Sequence, residues 1–111
     1  MLSVVIPLYN EETILDELVR RTSDSLNSFT DDYEIIFVDD GSTDNTLSKL
    51  LAFREKNKRI KILSLSRNFG HQAAYTAGLD HAGGDIVAMM DGDLQDPPEL
   101  LAEMYNKIVT N

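Results

Sequence analysis

Apolar and polar positions alternate between two periods along this chain. LSVVIPL (2–8) is a short β-branched run and predicts a strand. After it, Leu15, Leu18, Thr22, Leu26 and Phe29 recur at helical spacing, with Asn10 available as a cap. EIIFVDD (34–40) is apolar at both parities until Asp39 and predicts a second strand; Leu47, Leu50 and Leu51 then mark a helix capped by Asp44. RIKILSLS (59–66) predicts a third strand, and the loop RNFGHQ leads into a helix with Ala73, Ala74, Ala77 and Gly78 on one close-packing face. DIVAMMD (85–91) predicts the fourth strand. Asp96, Pro97 and Glu99 spell a capping box with proline at its first helical position. That last helix is expected to bury Leu100, Leu101, Met104, Tyr105 and Ile108.

The order βαβαβαβα, with near-continuous apolar strands, predicts an α/β fold: a Rossmann-like parallel sheet covered on both faces. The 111 residues suit one domain, 1–111, without repeat or linker. Composition narrows the function classes. A net charge of −9 argues against a nucleic-acid partner, which calls for a basic stripe. The absence of cysteine removes disulfides and thiolate metal sites and suits a reducing compartment. MLSVVIPLYNEE has no basic opening and breaks at Pro7, so it reads as a strand rather than a leader. No apolar run approaches the ~20 residues that span a bilayer.

In a parallel sheet, the loops that follow the strands share one edge, where ligands of open α/β sheets bind. Here they read PLYNEE, VDDGSTD, LSRNFG and DGDLQD, so Asp39, Asp40, Asp44, Asp91, Asp93 and Asp96 gather on one rim with Arg67 nearby. The opposite loops, TDD and HAGG, read as plain turns. Asp44 and Asp96 are accounted for as helix caps, Gly41 and Gly92 as turn residues, and His71 and His81 as structural. Asp91 and Asp93 are different: a pair two residues apart, directly after a strand, can direct two oxygens to one pocket. Crowded carboxylates repel by roughly 3–4 kcal/mol at 4–5 Å with an effective dielectric near 20. A shared cation relieves this, and all-oxygen ligands suit Mg²⁺ or Mn²⁺.

VVIPLYNEE, VDDGSTDNT, LSRNFGHQAA and MDGDLQDPPE, in this order and each at the end of a predicted strand, resemble the N-terminal half of a family 2 glycosyltransferase of GT-A fold. More narrowly, they are similar to the polyprenyl-phosphate sugar transferases related to dolichyl-phosphate mannose synthase. The resemblance covers essentially the whole chain. It implies that Pro7, Tyr9 and Glu11 lie against the nucleoside, that Asp40 hydrogen-bonds the base with Asp39 in support, and that Arg67 approaches the nucleotide or sugar phosphate. It further implies that Asp91 contacts ribose or metal and that Asp93 and Gln95 ligate the metal beside the diphosphate, which makes Asp91 and Asp93 the catalytic candidates. The implied reaction is metal-dependent sugar transfer from a nucleotide diphosphate sugar, with inversion, to a lipid phosphate.

The resemblance also implies that residues 1–111 are the donor-binding half of a longer enzyme and do not transfer sugar alone. That enzyme would work in the cytoplasm, at the inner face of the membrane. The apolar side of the last helix favours self-association into a homo-oligomer. Two other readings remain open at this point. One is a nucleotide-binding module without catalysis. The other is a phosphoacceptor signalling domain, whose acidic pair after the first strand and aspartate after the third are here replaced by LYNEE and SRNFG.

Overall fold

A computed structural model describes residues 1–94 and 97–110. The elements alternate as β1 (Leu2–Leu8), α1 (Leu15–Asn27), β2 (Tyr33–Asp39), α2 (Thr46–Lys56), β3 (Ile60–Ser64), α3 (His71–His81), β4 (Ile86–Met89) and α4 (Leu100–Thr110). The strands form one parallel sheet in the order β3-β2-β1-β4. The chain thus builds outward from β1 through β2 to β3, then returns to place β4 on the other side of β1. The reversal opens a crevice beyond the carboxyl ends of β1 and β4, the position at which such sheets bind ligands.

Every residue of β1 and β2 is buried, as suits central parallel strands, and this burial includes the polar Ser3, Glu34 and Asp39. One face of the sheet joins Val4, Ile6, Ile35 and Phe37 to Leu15, Leu18 and Leu26 of α1, Leu50 of α2 and Leu101 of α4. The other joins Val5, Ile36 and Val38 to Ala74 of α3. A Cβ on Gly78 would lie 2.2 Å from Val5 Cγ1, so glycine lets α3 settle directly on β1. The close face of α3 consists of Ala74, Gly78 and the half-buried Ala77; Ala73, expected on it, is exposed.

β4 departs from its pattern. The run DIVAMMD suggested a strand buried on both sides, but β4 is an edge strand, with Val87 37% and Met89 53% exposed. The last helix likewise buries less than expected. Leu101 is buried and the Tyr105 ring packs at a tilt against Phe29, with centroids 5.1 Å apart, while Leu100, Met104 and Ile108 remain exposed. On α2, Leu51 is exposed and Phe53 turns to the core instead.

Helix starts also differ from the capping pattern. Asn10 does not cap α1, which begins at Leu15; it adopts a left-handed conformation, φ 53°, and its Oδ1 accepts from the Thr43 and Asp44 amides. Asp44 is not the cap of α2, which is Asn45; it stands one residue earlier, and its Oδ1 accepts from Thr46 N–H and Oγ1 at the start of the helix. Of the proposed capping box, Asp96 lies outside the described residues. Glu99 precedes α4 and accepts from Nε and Nη2 of Arg21 on α1. The loop HAGG is an anchored segment rather than a plain turn, because Gly83 N–H donates to the buried Glu34 carboxylate and Gly84 N–H to Ser3 Oγ.

Candidate functional site

The loops after β1 and β2 are tied together by hydroxyl and carboxylate groups of GSTD. Asn10 N–H donates to Ser42 Oγ, Glu11 N–H to Thr46 Oγ1 and Glu12 N–H to Asp44 Oδ2. The loop after β3 is fastened in turn to β2: Asp40 Oδ1 and Oδ2 accept from the Phe69 and Gly70 amides at 2.8 and 3.1 Å. Gly41, at φ +71°, makes this approach possible, since a Cβ there would lie 2.3 Å from the Arg67 carbonyl carbon. Behind β4, Gly92 fits against Leu8 Cδ2, 2.2 Å from where a Cβ would stand.

These ties leave a cavity of about 230 Å³ at the crevice between β1 and β4, lined by Pro7, Tyr9, Glu11, Asp40, His71, Asp91 and Asp93 together with Leu8 and Gly92. The structure therefore brings together six of the predicted site residues, contributed by the ends of β1, β2 and β4. Asp39 lies at the end of β2, 2% exposed, outside this lining; its Oδ1 has no hydrogen-bond partner among the described residues. Arg67 also stands outside the lining, stacked on the exposed Phe69 ring at 4.7 Å. Gln95 lies outside the described residues.

The cavity is acidic. Burial pushes the Glu11 carboxyl above the ordinary carboxylate range, and the nearby charges of Asp93 and Asp44 push it further. Asp91 moves the other way. His71 Nε2 lies 3.0 Å and the Tyr75 hydroxyl 2.9 Å from its Oδ1, and these bonds hold its carboxyl below the ordinary range. Sequence reading took His71 for a structural residue and passed over Tyr75. Their only signal was a shared position: one helical turn apart, at the start of a helix that leaves the rim. His81, bonded to the Ala77 carbonyl, is structural as expected.

As oxygen donors, the carboxylates suit a hard cation. Among the described residues, no group of three or more His, Cys, Asp or Glu is arranged to hold a metal ion. Mg²⁺ typically needs only one or two protein carboxylates, with water and phosphate oxygens completing its shell, and Asp91 and Asp93, which line one cavity, are the residues that could supply them. No described helix is long and apolar enough to cross a membrane.

Known proteins resemble this chain in sequence and in fold. Residues 3–111 match the model of Glycosyl transferase family 2. An uncharacterised glycosyltransferase of Synechocystis (sll0501) is 50% identical over 106 residues, 96% of this chain and 33% of its own. The chain spans about a third of the length of the curated relatives it matches. Among solved structures, the mannosyltransferase PcManGT of Pyrobaculum calidifontis, in complex with GDP-Man and Mn²⁺, superposes with a TM-score of 0.83 at 25% identity, covering 99% of this chain and 32% of that one. TarS 1–349 of S. aureus, in complex with UDP-GlcNAc, superposes with a TM-score of 0.76 at 27% identity, covering 98% and 31%.

Proposed function

The chain belongs to glycosyl transferase family 2, and from that premise we propose that its rim cavity binds the diphosphate of a nucleotide sugar through Mg²⁺ or Mn²⁺, and that the whole enzyme transfers the sugar to a polyprenyl phosphate with inversion. The observation that carries the reading is the charge of the lining. Glu11, Asp40, Asp91 and Asp93 face the cavity, and among the described residues no lysine or arginine lines it. Such a wall repels a bare diphosphate and attracts one that arrives with a divalent cation.

Asp91 and Asp93, with Gln95, would hold the cation. Pro7, Tyr9 and Glu11 would flank the nucleoside, Asp40 would meet the base with Asp39 behind it, and Arg67 would swing from Phe69 toward phosphate. When bound, the cation supplies Lewis-acid stabilisation of the charge on the departing diphosphate. The protein's own part is positioning. Asp91, kept ionised by His71 and Tyr75, presents a fixed charge, and the tied loops after β1, β2 and β3 hold the donor in one place. In the transfer, the bond from the anomeric carbon to the diphosphate oxygen breaks as an acceptor oxygen bonds the opposite face of that carbon, and the nucleoside diphosphate leaves. A lipid phosphate oxygen is already anionic and needs little help from a base. The lipid-phosphate acceptor, and with it a place at the cytoplasmic face of a membrane, rests on the D-G-D-L-Q-D-P-P-E and S-R-N-F-G stretches.

The intact protein, given labelled GDP- and UDP-sugars, Mn²⁺ and polyprenyl phosphate, is expected to move label into the lipid extract. Nucleotide binding with no transfer to any lipid phosphate would instead identify a binding module.

A further inference from the structure

One short segment, residues 69–75, holds two of the three aspartates that line the cavity, Asp40 and Asp91. Its Phe69 and Gly70 amides donate to Asp40 at the end of β2, and its His71 and Tyr75 side chains meet Asp91 beyond the end of β4. β2 and β4 are not neighbours, since β1 lies between them, so this segment sets the relation between two carboxylates that the sheet alone does not join. The His71 and Tyr75 rings stand edge to face with centroids 5.4 Å apart, which fixes both donors against the same oxygen.

We propose that His71 and Tyr75 are positioning residues that latch Asp91 Oδ1 and so hold this carboxylate in one orientation toward the cation and diphosphate. The inference rests on the proposed nucleotide-sugar reading. Asp91 follows an edge strand, and its side chain is 40% exposed, so without these bonds it would sample several rotamers. An ionised carboxylate only accepts hydrogen bonds, so the imidazole N–H and the phenol O–H both donate to Oδ1. The residue types matter as well. An imidazole and a phenol orient the carboxylate through hydrogen bonds, without the permanent positive charge that lysine or arginine would place there. Partners of this kind around metal-binding carboxylates typically contribute 10–100-fold to metal affinity or activity.

The test uses the intact protein and calorimetric titration of GDP and UDP in the presence of Mn²⁺, with thermal melting in parallel. His71→Ala and Tyr75→Phe are each expected to weaken Mn²⁺-dependent binding by about tenfold at an unchanged melting temperature. His71→Gln, which can place an amide N–H near the former Nε2, should regain most of the loss. The double variant should lose less than the product of the single losses, because both act on one oxygen. Wild-type affinity in the single variants, or losses that track melting temperature and are not relieved by glutamine, would overturn the latch. Absence of nucleotide binding by the wild type would overturn the proposed function instead. The latch would then be decided by the ¹⁵N shifts of the His71 imidazole in Asp91→Asn: a clear change supports it and unchanged shifts overturn it.

Discussion

Burying Glu34 in β2 is unfavourable on its own, since a carboxylate removed from water must recover its solvation from the protein. Glu34 is 2% exposed, and it recovers that solvation from Ser3 Oγ at 2.6 Å, Gly83 N–H at 2.7 Å and an ion pair with Lys61. Burial alone would raise its carboxyl, but Lys61, Ser3 and Gly83 outweigh it and set it below the ordinary range. A carboxyl depressed by folding stabilises the protein fully above its unfolded value and loses that contribution as pH falls through the folded one. Glu34→Gln is therefore expected to cost about 1–3 kcal/mol in denaturant unfolding at neutral pH. It should also flatten the loss of stability on acidification; equal acid sensitivity in both proteins would show that Glu34 titrates alike folded and unfolded. None of this was legible in the sequence, where a glutamate opening an apolar strand looks like a solvated end. Its partners lie 31 and 49 residues away, and only the fold brings them together. Asp91 and Asp93 were legible because their spacing after a strand carries meaning locally. His71 was not, because its importance depends on a carboxylate 20 residues further on.

At the scale of elements, the strands were legible to within about two residues, because a buried parallel strand must be apolar at both parities. The differences follow from neighbours. β4 read as a strand buried on both sides and α4 as burying five apolar residues, but β4 is an edge strand, and Met89, Leu100, Met104 and Ile108 stay exposed. Asn10 read as a helix cap from its position, yet it is spent on the GSTD loop, which offers it two amides in place of one. The interlocking of loops is the feature that converts the sheet into a site, and Asp40 is its centre. Asp40→Ala removes the acceptor of two amides held by a charged group, each such bond contributing about 1.5–3 kcal/mol. The Phe69 and Gly70 amides are expected to exchange with solvent deuterium at least about tenfold faster, with β1 and β2 amides unchanged. Unaltered exchange at Phe69 and Gly70 would mean that the loop after β3 is held by other contacts, such as the Gly41–Arg67 approach.

For the molecule as a whole, the strand order β3-β2-β1-β4 accounts for how an acidic protein with net charge −9 would serve the polyanionic ligand of the proposed function. The reversal at β1 gathers carboxylates at one crevice, where, under the proposed function, a divalent cation would convert repulsion into binding. The central claim is thus that nucleotide and metal bind together. Calorimetric titration of GDP and UDP into the intact protein, once with Mn²⁺ and once with EDTA, tests it most directly. Binding of at least one nucleotide with Mn²⁺, weakened at least about tenfold by EDTA as expected when a cation bridges like charges, is the predicted result. Equal affinity in both conditions would contradict the account, because the lining of Glu11, Asp40, Asp91 and Asp93 would then have to accept a diphosphate unaided.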